Sequence, residues 1–427
     1  MKDKVQLLLL IWLTTLNGQV DYTTQIQTIF SSDCTGCHGS SGGLSLSSYS
    51  SVMAGGNSGA VIVANDHANS LLWQKVNTGA MPQNNPALPQ SQIDLIALWI
   101  NEGALEFPAV VAKTYVPDDN FEQALIDLGY DDALDDSVQT ANISGVTSLN
   151  VDEKQISDLT GIQGFTALEL LYCENNQLTS LDISNNLVLT QLHAAGNQLD
   201  SLDLTNNSAL TELNVAHSQL TSLDVSNALS LELLELYEND LTSLDVSNNT
   251  ALNRLIVSYN QLDSLDVSNN TALSDLHCNG NQLTSLDVSN NTALIYLYCS
   301  DNQLTSLDIS NNTALIRLSC PNNQLTILDI SNNTALTYLY VHNNALTTFD
   351  VSNNTALEWL WCSNNNLDSL DVSNNTALTI LHCSLNQLDS LDVSNNTALT
   401  RLKCHSNQLS YLNMKNGVTD GLTHFNA

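Results

Sequence analysis

Residues 294–314 read Leu294-Ile-Tyr-Leu-Tyr-Cys-Ser-Asp-Asn-Gln-Leu-Thr-Ser-Leu-Asp-Ile-Ser-Asn-Asn-Thr-Ala314. The unit L-x-x-L-x-C/V-x-x-N-x-L-x-x-L-D-V-S-N-N-T-A recurs at 21-residue spacing from about residue 161 to the end of the 427-residue chain. Asn176, Asn197, Asn239, Asn260, Asn281, Asn302, Asn323, Asn344, Asn365, Asn386 and Asn407 hold one column of this lattice, with Ser218 in the exceptional slot. A second column runs through Leu171, Leu192, Leu213 and Leu234 to Leu402. A third runs from Leu181 to Leu391 with Phe349 in one place. Chance apolar periodicity does not hold register over about twelve copies. One copy cannot bury its own leucines, whereas stacked copies bury a continuous column. The L-x-C segment predicts one short strand per copy, paired in parallel with the next; at ~4.8 Å per strand, about twelve copies span roughly 55 Å. The column asparagine sits where the chain turns inward, and its amide can satisfy backbone groups that the bend leaves unpaired.

This pattern resembles the leucine-rich repeat, which implies a solenoid of parallel strands over residues 161–427. Residues 108–160 read as a linker followed by a cap. The segment from Tyr115, Tyr-Val-Pro-Asp-Asp-Asn-Phe, resembles the N-terminal cap of repeat proteins in Bacteroidota-type bacteria. Phe121, Ala124, Leu125 and Leu128 have the spacing of a short helix that would cover the first repeat. At the other end, Phe425-Asn426-Ala427 stops inside what reads as another strand, with neither a cap nor a C-terminal sorting domain. The expectation is a truncated array, since an uncovered edge strand is an aggregation hazard.

Two further columns carry polar chemistry. Cys173, Cys278, Cys299, Cys320, Cys362, Cys383 and Cys404 alternate in one slot with Ala194, Val215, Leu236, Val257 and Val341. A slot that accepts valine, leucine and alanine points inward, so cysteine there acts as a small hydrophobe rather than a disulfide partner. Asp182, Asp203, Asp224, Asp245, Asp266 and onward to Asp392 form a complete column. Each reads first as a cap on backbone N–H groups of its turn. Ca²⁺ bound along the ladder is the lesser reading, because the glycine-rich nonapeptide of calcium-binding β-rolls is missing. The Asn-Asn-Thr sequences match an N-glycosylation pattern, but the repeat itself accounts for them.

The N-terminal part is different. Lys2 and Lys4 precede an apolar run from Val5 to Leu13, with Gly18 as a cleavage point. Residues 1–18 therefore read as an export signal, placing the protein in the periplasm, on the outer surface or outside the cell. Residues 19–107 contain Cys34-Thr35-Gly36-Cys37-His38. Two thiols at C-x-x-C spacing can bond one haem, and the adjacent histidine can ligate its iron. No second C-x-x-C exists to complete a zinc site. Helical stretches are expected at Thr24–Phe30 and Gln92–Glu102. Two helices around this motif and a later Met-Pro resemble class I cytochrome c, closest to the short domains of Bacteroidota and planctomycete proteins. The resemblance implies an all-α domain with one covalent haem c held by Cys34, Cys37 and His38. It assigns the sixth position to Met81, before Pro82; Met53 and His67 are the competing candidates. A methionine–histidine pair suits an electron carrier, whereas an open iron position would permit peroxidase chemistry.

The strand residues that flank the buried leucines become aromatic in a block: Tyr296, Tyr298, Tyr338, Tyr340, Trp359 and Trp361, with His342 and His382 nearby. Alternation puts each pair on one side of its strand, on the concave face. Such platforms suit a protein partner or a glycan, or else simply pack across strands. With 10 Lys plus Arg against 44 Asp plus Glu, a formal net charge of −34, nucleic acid is excluded as a partner. No Ser/His/Asp arrangement or paired-carboxylate site stands out. The sequence thus reads as a multidomain electron-transfer protein, not an enzyme, with a redox partner protein. The alternative is a surface adhesion or polymer-binding protein with ancillary haem.

Overall fold

The computed structural model describes residues 19–38, 43–83, 85–107, 111–415, 417 and 424–426. The expected export signal therefore lies outside the described residues. The chain divides into two compact units, residues 1–111 and 112–427.

The first unit is helical. A π turn at Tyr22–Ile26 runs into a helix at Gln27–Asp33. Further helices follow at Thr35–His38, Tyr49–Ala54, Leu71–Asn77 and Gln90–Asn101. Ile93, Ile96, Trp99 and Ile100 recur at helical spacing and bury one face of the last helix. They meet Tyr22, Ile26 and Phe30 in a single core. Trp99 is fully buried, so its indole N–H must find a partner, and it donates to Leu105 O at 2.8 Å. Among the described residues, no helix is long and apolar enough to cross a membrane.

The second unit opens with a helix at Asp119–Asp127 and an antiparallel pair, Lys113–Tyr115 with Ser137–Gln139. Asp118 caps the helix by accepting from the N–H groups of Asn120 and Phe121. Phe121, Ala124 and Leu125 point into the same core as the repeats. Leu128, expected on that face, is the helix's last cap residue and is 47% exposed. Beyond the cap the chain is a parallel solenoid whose main sheet has 14 strands. That sheet starts earlier than the lattice suggests: Ser148–Asn150 already pairs with Leu170–Tyr172. It ends with His424–Asn426 paired to Arg401–Lys403. Every described strand is three residues long, and in the main sheet the central residues stack, leucine in each strand but the last, where Phe425 meets Leu402; Leu297 thus stacks on Leu276 and Leu318.

The asparagine column closes the turns. The Asn302 amide donates to Cys278 O at 3.0 Å and Cys299 O at 3.2 Å, while its carbonyl accepts from Leu283 N at 3.0 Å. A second ladder escapes a reading of the sequence, because Ser-Asn-Asn looks like ordinary turn composition. The second asparagine of each such triplet is buried; Asn312 donates to Val288 O at 3.0 Å and Asn291 O at 2.8 Å. The residue before each lattice asparagine has a left-handed backbone, including Asn175, Asp301, Asn322 and Gly280. Glycine, asparagine and aspartate tolerate that region best. Gly280 also has no room for a Cβ, which would lie 2.7 Å from the Tyr259 ring.

One turn lacks both ladders: Ser218 and Ala228 stand where the others have asparagine. The Ser218 hydroxyl is buried without a partner among the described residues. Replacing Ser218 and Ala228 together by asparagine is expected to raise unfolding stability by about 1–2 kcal/mol, through amides that reach neighbouring turns. Urea unfolding of the full chain measures this.

The cysteine column is buried and its thiols are free. Burial pushes the Cys173 and Cys278 thiols well above their ordinary range, as a small hydrophobe in a dry slot requires. The aspartate column caps its turns: Asp245 accepts from Ser247 N at 2.9 Å, and Asp287 from Ser289 N at 2.9 Å. Hydrogen bonds from the serine hydroxyl and amide hold these carboxyls below the ordinary range. No three column aspartates bring their oxygens within 4.8 Å of one another among the described residues.

Candidate functional site

In the first unit, backbone bonding carries the helix through the C-x-x-C-H motif. Cys34 N bonds Phe30 O at 2.9 Å, Cys37 N bonds Cys34 O at 3.2 Å, and His38 N bonds Cys34 O at 3.0 Å. Residues three and four apart on a helix share a face, so both thiols and the imidazole project to the same side. They line one cavity of about 280 Å³. Phe30, Leu44, Leu46, Val61, Leu72 and Val76 supply apolar wall.

Met81 lines the same cavity. The chain beyond the helix Leu71–Asn77 folds back so that Met81 N bonds Lys75 O at 3.1 Å. Sequence reasoning missed this helix, although Leu72 and Val76 are four apart and both buried. Neither competing candidate is part of the lining. Met53 packs at the edge of the core, and His67 is held by Asn101 at 2.8 Å with its ring 4.5 Å from that of Trp73.

The electrostatics suit a group that arrives from outside. The His38 Nδ1 atom is buried with no hydrogen-bond partner among the described residues. Burial, and then the charge of Asp33, push the Cys34 thiol up to about 11, while Cys37 is exposed. A half-buried thiol of that acidity is a poor nucleophile at neutral pH.

The predicted aromatic side chains lie along one face of the solenoid sheet. Tyr338 pairs with Trp359, rings 5.5 Å apart and edge-on; Tyr340 pairs with Trp361 at 6.4 Å. His342 stacks on Trp361 at 4.1 Å. Tyr296 and Tyr298 stand one strand further off, and Arg317 fills the gap. Its guanidinium donates to the Tyr298 hydroxyl at 3.2 Å and lies 4.5 Å from the Tyr338 ring centre. Trp359 and Trp361 remain 38% exposed.

Comparison with known proteins sorts the two units. The planctomycete cytochrome C family matches residues 34–84, the segment that holds the motif and Met81. The LVIVD repeat family matches residues 295–319 and 320–339, within consecutive turns of the solenoid. Internalin J of Listeria monocytogenes is 36% identical over 72 residues, 17% of this chain; the chain spans only 8% of that curated relative's length. A solved structure of its functional domain, described as including a cysteine ladder, is 33% identical. It covers 69% of this chain and 76% of its own, with a TM-score of 0.55. The internalin inlF structure from the same species is 25% identical and covers 73% of this chain and 95% of its own, with a TM-score of 0.64. The solenoid is a leucine-rich-repeat domain.

Charge is segregated along the strands of this leucine-rich-repeat domain. In its first half, strand positions carry Glu212, Glu235 and Asp275. Arg254 sits 3.6 Å from Glu235 and 3.5 Å from Asp275. From Tyr296 to Lys403 the main-sheet strands carry no acid. The five lysines and arginines after residue 160 are Arg254, Arg317, Arg401, Lys403 and Lys415, and three of them fall on these strands. Burial, then the charges of Lys403 and Arg401, push the His382 imidazole down to about 4, so it is neutral at physiological pH. An aromatic and cationic surface thus occupies one end of an otherwise acidic domain. The 21-residue period puts Arg317 in one column between Tyr296 and Tyr338, a signal that sequence reasoning passed over.

Proposed function

We propose that this is an exported electron carrier, with a c-type haem domain joined to a leucine-rich-repeat binding module. The observation that carries the reading is that Cys34, Cys37, His38 and Met81 line a single apolar cavity. This set fits haem c: two thiols at the attachment spacing, a buried imidazole nitrogen without a partner, and a thioether in the same wall. Bound there, haem c supplies a one-electron iron couple. Cys34 and Cys37 would fix it to the chain, His38 and Met81 would ligate its iron, and the apolar wall would exclude water. The Met81 side chain argues for a carrier rather than a peroxidase, which needs an open iron position. The apolar run behind Lys2 and Lys4 supports export, and a redox partner protein completes the circuit.

Absorption spectra of protein made with a cytochrome c maturation system test the reading. The reduced wild type should give sharp bands of covalent haem. Met81→Ala should lose the sulfur-to-iron band and lower the reduction potential. Covalent haem with a spectrum indifferent to Met81→Ala would move the sixth ligand to Met53 or His67, or reveal an open iron position.

A second reading, surface adhesion or polymer capture with ancillary haem, is favoured by the aromatic and cationic strand face. Its ligand is a protein or a glycan. Replacing Trp359 and Trp361 together by alanine should cost about 2–4 kcal/mol of binding, roughly a 30-fold loss or more. Equal affinity of haem-loaded and haem-free protein in that assay would favour adhesion as the main role.

A further inference from the structure

The cap contains a carboxylate cluster that neither the haem cavity nor the strand face uses. Asp119 lies in the first turn of the helix Asp119–Asp127, and Glu122 follows one turn on. Asp136 precedes the strand Ser137–Gln139, and its carbonyl is fixed by Val116 N at 3.0 Å. One carboxylate oxygen from each of Asp119, Glu122 and Asp136 lies within 4.8 Å of the other two.

Glu122 distinguishes this cluster from ordinary surface acid. It is 1% exposed. Its Oε1 accepts from Asp135 N at 3.0 Å and Ser137 N at 2.8 Å. Its Oε2 is buried and has no hydrogen-bond partner among the described residues. A buried carboxylate oxygen with neither donor nor counter-charge is costly. Lys113 does not answer it, because its ammonium is engaged by Asp135 at 2.8 Å and the Ser137 hydroxyl at 2.9 Å. Asp131, in the same loop, also has a buried oxygen without a partner. Burial, and then the charges of Glu122, Asp135 and Asp132, raise its carboxyl above the ordinary range, so negative charge is in local excess.

We propose that Asp119, Glu122 and Asp136 form a Ca²⁺ site that ties the cap helix to the loop before Ser137–Gln139. Three hard oxygen donors, two of them exposed, leave room for the several water ligands that Ca²⁺ accepts. Mg²⁺ demands a tighter octahedron and is expected to bind more weakly. The column aspartates each cap one turn and form no such cluster, so the site is distinct from them.

Calorimetric titration of the full chain with CaCl₂, after chelator treatment, tests the proposal. One saturable site is expected, with Kd on the order of 10⁻⁴–10⁻³ M, together with a Ca²⁺-dependent rise in melting temperature. Asp119→Asn with Asp136→Asn should weaken binding at least about tenfold. Both side chains are exposed, so the far-UV circular dichroism of that variant should match wild type. Asp371→Asn, in the column, should leave binding unchanged. Absence of saturable binding would overturn the proposal, as would binding indifferent to the Asp119/Asp136 pair or equally reduced by Asp371→Asn.

Discussion

Replacing Cys34 and Cys37 together by alanine is expected to abolish covalent haem completely, from full loading to none, when the protein is made with a cytochrome c maturation system. The check is haem staining on a denaturing gel, with a reduced pyridine spectrum of the same sample. Each cysteine is expected to form one thioether bond, so either single substitution should leave a single attachment and a shifted spectrum. The two sulfurs differ in environment: Cys34 is half-buried with its thiol pushed up to about 11, and Cys37 is exposed. The buried thiol is mostly protonated at neutral pH, so attachment at Cys34 should depend more on the maturation machinery than attachment at Cys37. A wild type that takes up no haem under these conditions would end the cytochrome reading and leave a repeat-based binding protein.

The second large effect concerns Asn302, at a middle rung of the solenoid. Asn302→Ala is expected to destabilise the domain by about 2–4 kcal/mol. The loss is dominated by the buried Leu283 N–H, which the Asn302 side-chain oxygen satisfies at 3.0 Å. The carbonyls of Cys278 and Cys299 retain other donors, Asn281 at 3.2 Å and Asn323 at 3.0 Å. Asn302→Asp should be at least as damaging. It keeps an acceptor for Leu283 but turns a negative charge toward the carbonyl oxygens of Cys278, Cys299 and Ser300. Repeats contact only their neighbours, so a break at a middle rung uncouples the turns on either side. Urea unfolding should therefore show a lower midpoint and a shallower or split transition. A cooperative transition with an unchanged midpoint would mean that the ladder is not what joins the turns.

The repeat fold was readable because its period is enforced by packing. Leu297, Leu318 and Leu339 must stack directly, and any slip would place a polar residue in the core. The cysteines were readable for the same reason, since valine and alanine share their slot. The second asparagine ladder was less visible, because a turn asparagine and a buried asparagine look alike until the neighbouring turn is in place. The helix at Leu71–Asn77 was also missed; at seven residues it is too short for its periodicity to stand out from the surrounding loop.

By itself the sequence determined the column of leucines, the spacing of Cys34, Cys37 and His38, and the excess of acid over base. Each is a local or periodic property that needs no knowledge of what lies across the fold. Tertiary structure alone decided that Met81, rather than Met53 or His67, shares the cavity with the C-x-x-C-H motif. It also decided that Glu122 keeps a carboxylate oxygen buried without a donor among the described residues. These depend on which segments the backbone brings together, and distance along the chain does not encode distance in space.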